Sequence, residues 1–131
     1  MSTVDLNNGN VLLDDGMDAI VIVKDLGDIP GGRSLEVKGL DTEGDVIKSG
    51  HVIIKKDTNK PVFLPLGVKD GNYVELPAGH SYVGVLKASI LKKDPRAAIL
   101  TMGQVNAAAS PYPVTDAIKE GLPNIQFLNN I

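Results

Sequence analysis

Apolar residues fall along this chain in short runs cut by glycines, prolines and acidic turns, and only the segment near residue 115 carries helical spacing. The longest patterned stretch is 82–106, YVGVLKASILKKDPRAAILTMGQVN, where two apolar runs meet across Lys92-Lys93-Asp94-Pro95-Arg96. This pattern predicts a β-hairpin with strands over 82–91 and 97–105. Asp94 and Pro95 suit positions i and i+1 of a type I turn, because the carboxylate can accept from a backbone N–H further on and proline pre-sets φ. The first strand starts apolar on both faces: Tyr82, Gly84, Leu86, Ala88 and Ile90 against Val83, Val85 and Leu91. A strand of that kind is covered on both sides, at the centre of a domain. Lys87 and Ser89 interrupt the second face, which should reach solvent or a partner there.

The rest of the chain reads as further short strands. Ala19-Ile20-Val21-Ile22-Val23 is a continuous β-branched run and predicts a buried strand, entered from residues 11–13 through the Asp14-Asp15-Gly16 turn. Residues 25–32, DLGDIPGG, predict a loop, and Leu35 and Val37 alternate with polar neighbours as in a half-exposed strand. Residues 46–54 predict two short strands around a Ser49-Gly50 turn. The run 61–66, PVFLPL, is broken by Pro65 and fits an edge strand. Asp70-Gly71-Asn72 turns the chain into 73–76, and Pro77-Ala78-Gly79-His80 leads into the hairpin. Residues 106–113 predict an extended connector. Thr115 can cap a short helix whose Val114, Ile118 and Leu122 share one face and which Gly121 and Pro123 end; 124–128 is a last strand. The fold expected is all-β, a small barrel or sandwich of short strands with one short C-terminal helix. It would form one domain over 11–131, with 1–10 as a flexible N-terminal arm.

Composition narrows the function classes. At 131 residues, 43% hydrophobic and 22% charged, the chain is globular in character, and no apolar run approaches the roughly 18 residues a spanning helix needs, so no membrane is expected as a partner. MSTVDLNNGN lacks the basic start and apolar centre of a secretory signal. A net charge of −3 argues against binding phosphate backbones directly. With no cysteine there are no disulfides, thiolate metal sites or cysteine nucleophiles. Aromatics at 4% and the missing tryptophan disfavour stacking platforms and leave the core to aliphatic side chains.

The candidate chemistry is thin. His51 and His80 read as surface or turn histidines, since neither has metal-ligand spacing around it. Asp14, Asp15 and Asp18, or Asp41, Glu43 and Asp45, could gather oxygens for calcium, yet neither set follows an ordered calcium loop; they read as solvated turns. Gly31-Gly32-Arg33 lacks the strand before and helix after that a phosphate loop needs. Ser49 with Lys87 is the one enzymatic alternative, a serine activated by a desolvated lysine as in a Ser/Lys-type hydrolase. A third alternative is a lipoyl- or biotinyl-carrier-like module, from the run at 43–53. Lys92, Lys93 and Arg96 form a positive knob on an acidic protein, either a solvated turn or a docking contact for an acidic surface.

The order of these features resembles tailed-phage head decoration proteins, the lambda-type auxiliary capsid proteins and the capsid-binding domain of head fibre proteins. The matching residues are Ile47-Lys48-Ser49-Gly50-His51-Val52-Ile53, then Gly84-Val85-Leu86. Asp94-Pro95-Arg96-Ala97-Ala98-Ile99-Leu100-Thr101-Met102-Gly103-Gln104-Val105-Asn106 continue the match, and Leu122-Pro123-Asn124-Ile125 close it. The resemblance runs from about residue 40 onward and is most specific after Asp94. It implies a non-enzymatic β-rich protein without cofactor, made in the host cytoplasm and carried on the outer surface of the virion. Its partners would be the major capsid protein and two further copies of itself in a homotrimer. The capsid-docking candidates are then Lys92, Lys93 and Arg96 at the hairpin tip, with Val4 and Leu6 in the arm. No coiled-coil pattern follows residue 113, so a fibre shaft is not expected.

Overall fold

The computed structural model describes residues 21–37, 44–60 and 62–128. Among them run ten strands: β1 Ile22–Ser34, β2 Val46–Ile47, β3 Val52–Lys56, β4 Phe63–Pro65, β5 Val68–Lys69, β6 Asn72–Tyr73, β7 His80–Leu86, β8 Ile90–Leu91, β9 Arg96–Asn106 and β10 Ile125–Leu128. One short helix, α1 Asp116–Gly121, follows a 3-10 turn at Ala107–Ala109. Six strands make the main sheet, in the order β1-β9-β7-β3-β4 with β10 also on β9, while β2–β8 and β5–β6 are separate two-stranded ribbons. The protein is all-β, and among the described residues the sheets do not close into a barrel, so of the two architectures expected the barrel is not the one they form.

Strand β9 organises the sheet. β1 pairs antiparallel along it from Arg96 to Val105. On its other edge β7 pairs antiparallel at Ile99 and Leu100, and β10 continues that edge in parallel from Gly103 to Asn106. Side chains of a strand alternate between faces. Val52 and Ile54, Val85 and Leu100 accordingly enter one apolar cluster, while Ile53, Leu86 and Ile99 enter another. The first cluster is closed by Val68 and Tyr73 of the β5–β6 ribbon and by Ile118 and Leu122 at α1; the second is closed by Ile47 of β2 with Ile90 of β8. Both faces of the sheet centre are therefore covered, as the two-sided pattern of β7 requires. Each fully buried aliphatic side chain contributes roughly 1.5–3 kcal/mol to this arrangement.

Local chemistry explains several joints. The β5–β6 turn has positive φ at both central residues, Asp70 (53°) and Gly71 (78°), the type I′ geometry that Asp-Gly favours in two-residue hairpins. Thr115 Oγ1 accepts from the Ile118 N–H at 3.3 Å, capping α1 as its sequence indicates. Gly121, the last residue of that helix, is a glycine for a packing reason: a β-carbon there would lie 2.2 Å from the Tyr82 ring. Pro65 sits in the edge strand β4, where the missing N–H is tolerated.

Other expectations need correction. Residues 25–32 are not a loop: they belong to β1, whose pairing with β9 is interrupted by four register shifts that absorb the glycines and Pro30. Of the run Ala19–Val23, residues 19 and 20 lie outside the described residues; Val21 is buried, but Val23 is exposed, because β1 is an edge strand. The strand expected over 82–91 stops at Leu86, and Ile90–Leu91 leaves the main sheet to pair with β2. Residues 106–113 are not simply extended, since Asn106 Oδ1 accepts from the Ala108 N–H at 3.2 Å and caps the 3-10 turn.

Candidate docking surface

The hairpin tip joins β8 to β9. Its turn differs from the one expected: Asp94 donates its N–H to the Leu91 carbonyl at 3.0 Å, so Lys92 and Lys93 are the central residues and Asp94 is the last. Pro95 follows the turn, and its carbonyl accepts from the Leu35 N–H at 2.9 Å. The Lys92 N–H reaches the Asp45 carbonyl at 2.8 Å, which ties the tip to the start of β2. Arg96 grips Asp94 with two parallel bonds, Nε to Oδ1 at 2.9 Å and Nη2 to Oδ2 at 3.0 Å. That guanidinium holds the Asp94 carboxyl below its usual range. Lys93 and Arg96 are exposed and Lys92 half-buried, so the knob is less positive than three cations imply, one being bridged to Asp94.

The β2–β8 ribbon beneath the tip has two unlike faces. Ile47 opposite Ile90 faces inward, whereas Val46 opposite Leu91 faces out, at 39% and 43% exposure. A depression of about 360 Å³ lined by Ile90, Leu91, Asp94 and Arg96 opens beside them. A second exposed apolar group, Val23, Leu26 and Met102, lies along β1 and β9 around the Gly27–Met102 pair. Val4 and Leu6 lie outside the described residues, as do Asp14, Asp15, Asp18, Asp41 and Glu43.

Ser49 and Lys87 are brought together, but not as nucleophile and base. The Ser49 hydroxyl donates to the backbone carbonyl of Lys87 at 2.9 Å, and the Ser49 N–H donates to Ser89 Oγ at 2.9 Å. These bonds hold the chain where β7 ends, which accounts for the polar residues there. The Lys87 ammonium points elsewhere, to Asp25 at 2.6 Å and to Asp28 of β1. Its hydrogen bonds to those two carboxylates push its pKa up, the reverse of what a general base requires. Lys87 likewise holds Asp25 below its usual range.

His51 is a buried residue and not the surface or turn histidine expected. It is 1% exposed, its Nε2–H donates to the Leu66 carbonyl at 2.8 Å, and burial lowers its pKa to about 4. Its ring meets those of Tyr73 and Tyr112 edge-on, with centroids 5.3 and 5.7 Å away, and the two tyrosines meet each other at 5.4 Å. Tyr73 Oη accepts from the Val52 N–H at 3.1 Å, and burial raises its pKa. The sequence cue for His51 was slight: it opens the apolar run Val52-Ile53-Ile54. His80 pairs with Lys56 at the far end of the β3–β7 ladder, so the histidines do not converge. Among the described residues no three metal-ligating side chains gather. Nor is any helix among them long and apolar enough to cross a membrane.

Compared with known protein families, curated proteins and solved structures, the chain matches none of them.

Proposed function

We propose that the protein is a capsid decoration protein, which binds the outer surface of an assembled phage head and stabilises the shell. The observation that carries the docking half of this reading is the exposed tip, with Lys93 and Arg96 beside the outward Val46–Leu91 pair. The phage-head half rests on the resemblance. The segments carrying it supply β9 whole and parts of β3, β7 and β10, neighbours in one sheet that would support the tip. The major capsid protein is the partner, on the virion surface, and three copies over one lattice position would multiply a modest contact through effective concentration. Binding the assembled lattice but not dispersed subunits stabilises the shell by linkage.

Co-sedimentation with mature phage heads tests the reading. Bound protein should raise the resistance of the heads to heat or chelator. Lys93→Glu with Arg96→Glu should weaken binding, and removal of residues 1–10 reports on the arm with Val4 and Leu6. No affinity of the intact protein for heads would overturn the proposal, and sedimentation equilibrium would distinguish trimer from monomer.

A further inference from the structure

The β2–β8 ribbon breaks the usual rule for a ribbon lying on a core. Such a ribbon places apolar residues inward and is free to be polar outward. Here the inward pair, Ile47 and Ile90, packs on the core, yet the outward pair is Val46 and Leu91. Directly opposed residues on antiparallel strands bring their β-carbons within about 5.5 Å, so the two form one continuous apolar spot. The depression is lined by Ile90 and Leu91 and by the Asp94–Arg96 pair; at about 360 Å³ it lies at the small end of the 300–1,000 Å³ typical of ligand clefts. That size suits one or two aliphatic side chains better than a cofactor. Exposed Lys93 stands in the adjoining turn, and Arg96 lines the rim.

We infer that this tip recognises an acidic segment with an aliphatic anchor: the anchor enters the depression against Ile90 and Leu91, with Val46 alongside Leu91, and neighbouring carboxylates meet Lys93 and Arg96. The inference rests on the decoration reading for its partner, which would present such a segment on the capsid surface, but its chemistry stands on the tip alone. Charge complementarity selects the acidic occupant over a basic one. The bidentate Asp94–Arg96 bond fixes the rim, so little side-chain freedom is lost on binding.

The test uses the full-length protein and three synthetic peptides: alternating glutamate and leucine, glutamate and serine, and lysine and leucine. Backbone amide shifts in NMR titrations locate binding, and the same variants are sedimented with mature phage heads. The Glu–Leu peptide should move the amides of residues 90–94 and 96 and bind at least about tenfold more tightly than either of the others, less so at high salt. Lys93→Glu, which touches no core residue, should weaken it several-fold, and Leu91→Ser should bring it down to the Glu–Ser level. Equal binding of the Lys–Leu peptide, shifts centred on Val23, Leu26 and Met102, or no shift at all would overturn the inference. If intact protein binds heads and Lys93→Glu and Leu91→Ser leave that affinity unchanged, the inference fails and the decoration reading survives. Peptide binding at the tip without any head binding is the converse result.

Discussion

Acidification should destabilise this protein through one ring. His51 is buried with its Nε2–H on the Leu66 carbonyl, so the native state holds it neutral, with a pKa of about 4 against 6.5 in the unfolded chain. The unfolded chain takes up the proton first, so the stability that His51 supports is complete above pH 6.5 and is lost as pH falls from there to about 4. From that difference the loss is about 2 kcal/mol at pH 5 and about 3 kcal/mol at pH 4. That is a large share of the roughly 5–15 kcal/mol that holds a domain together. His51→Gln supplies the control, since its amide can still donate to Leu66 and does not titrate. Urea unfolding followed by tyrosine fluorescence should give wild-type stability falling relative to the variant by about 3 kcal/mol between pH 7 and pH 4. The difference removes the carboxylates common to both proteins, including Asp25, whose lowered pKa places its own loss in more acid solution. A flat difference curve would show that His51 is not held neutral, and the reasoning from burial would fail.

Three further outcomes follow from packing and charge. Gly84→Ala would set a β-carbon 1.9 Å from the Leu100 carbonyl oxygen, a backbone atom fixed in β9, and should cost about 3 kcal/mol or more in urea denaturation. Thr115→Ala removes the cap of α1 and should cost about 1 kcal/mol by the same measurement, with early exchange of the Ile118 amide as its local sign. Lys87→Met leaves Asp25 and Asp28 facing each other, and carbon-detected NMR titration should show the Asp25 pKa rising toward its ordinary value. As all three groups are partly exposed, that variant should lose only about 0.5–1 kcal/mol, and less in high salt.

What could be read from the residues divides along a physical line. Signals contained within a few positions were legible: the Asp70-Gly71 turn, the edge strand at Pro65, the Thr115 cap and the two-sided β7. Signals that depend on a distant partner were not. Asp25-Leu26-Gly27-Asp28-Ile29-Pro30 has loop composition, yet a long neighbour in β9 pairs with it and bulges take up the misfit. Lys87 and Ser89 looked like one strand reaching the surface, because nothing nearby shows that Ser49 ties the chain there. The aromatic cluster draws on residues 51, 73 and 112, and no spacing links them. At the tip the charged residues were legible, while the outward Val46 became meaningful only once Leu91 was seen opposite it.

The placement of β9 also sets a timetable for the growing polypeptide. Ile22 must find Val105, so the first described strand has no partner until β9 has been made, some eighty residues later. Even then the edge from Gly103 to Asn106 stays open until Ile125–Leu128 arrives to close it. Assembly of the sheet thus waits for β9 and β10 and depends on long loop closures, the regime of slow folding. Until β10 arrives the Gly103–Asn106 edge of β9 is bare, and it is then, during manufacture, that this protein is most exposed to clumping with its own copies.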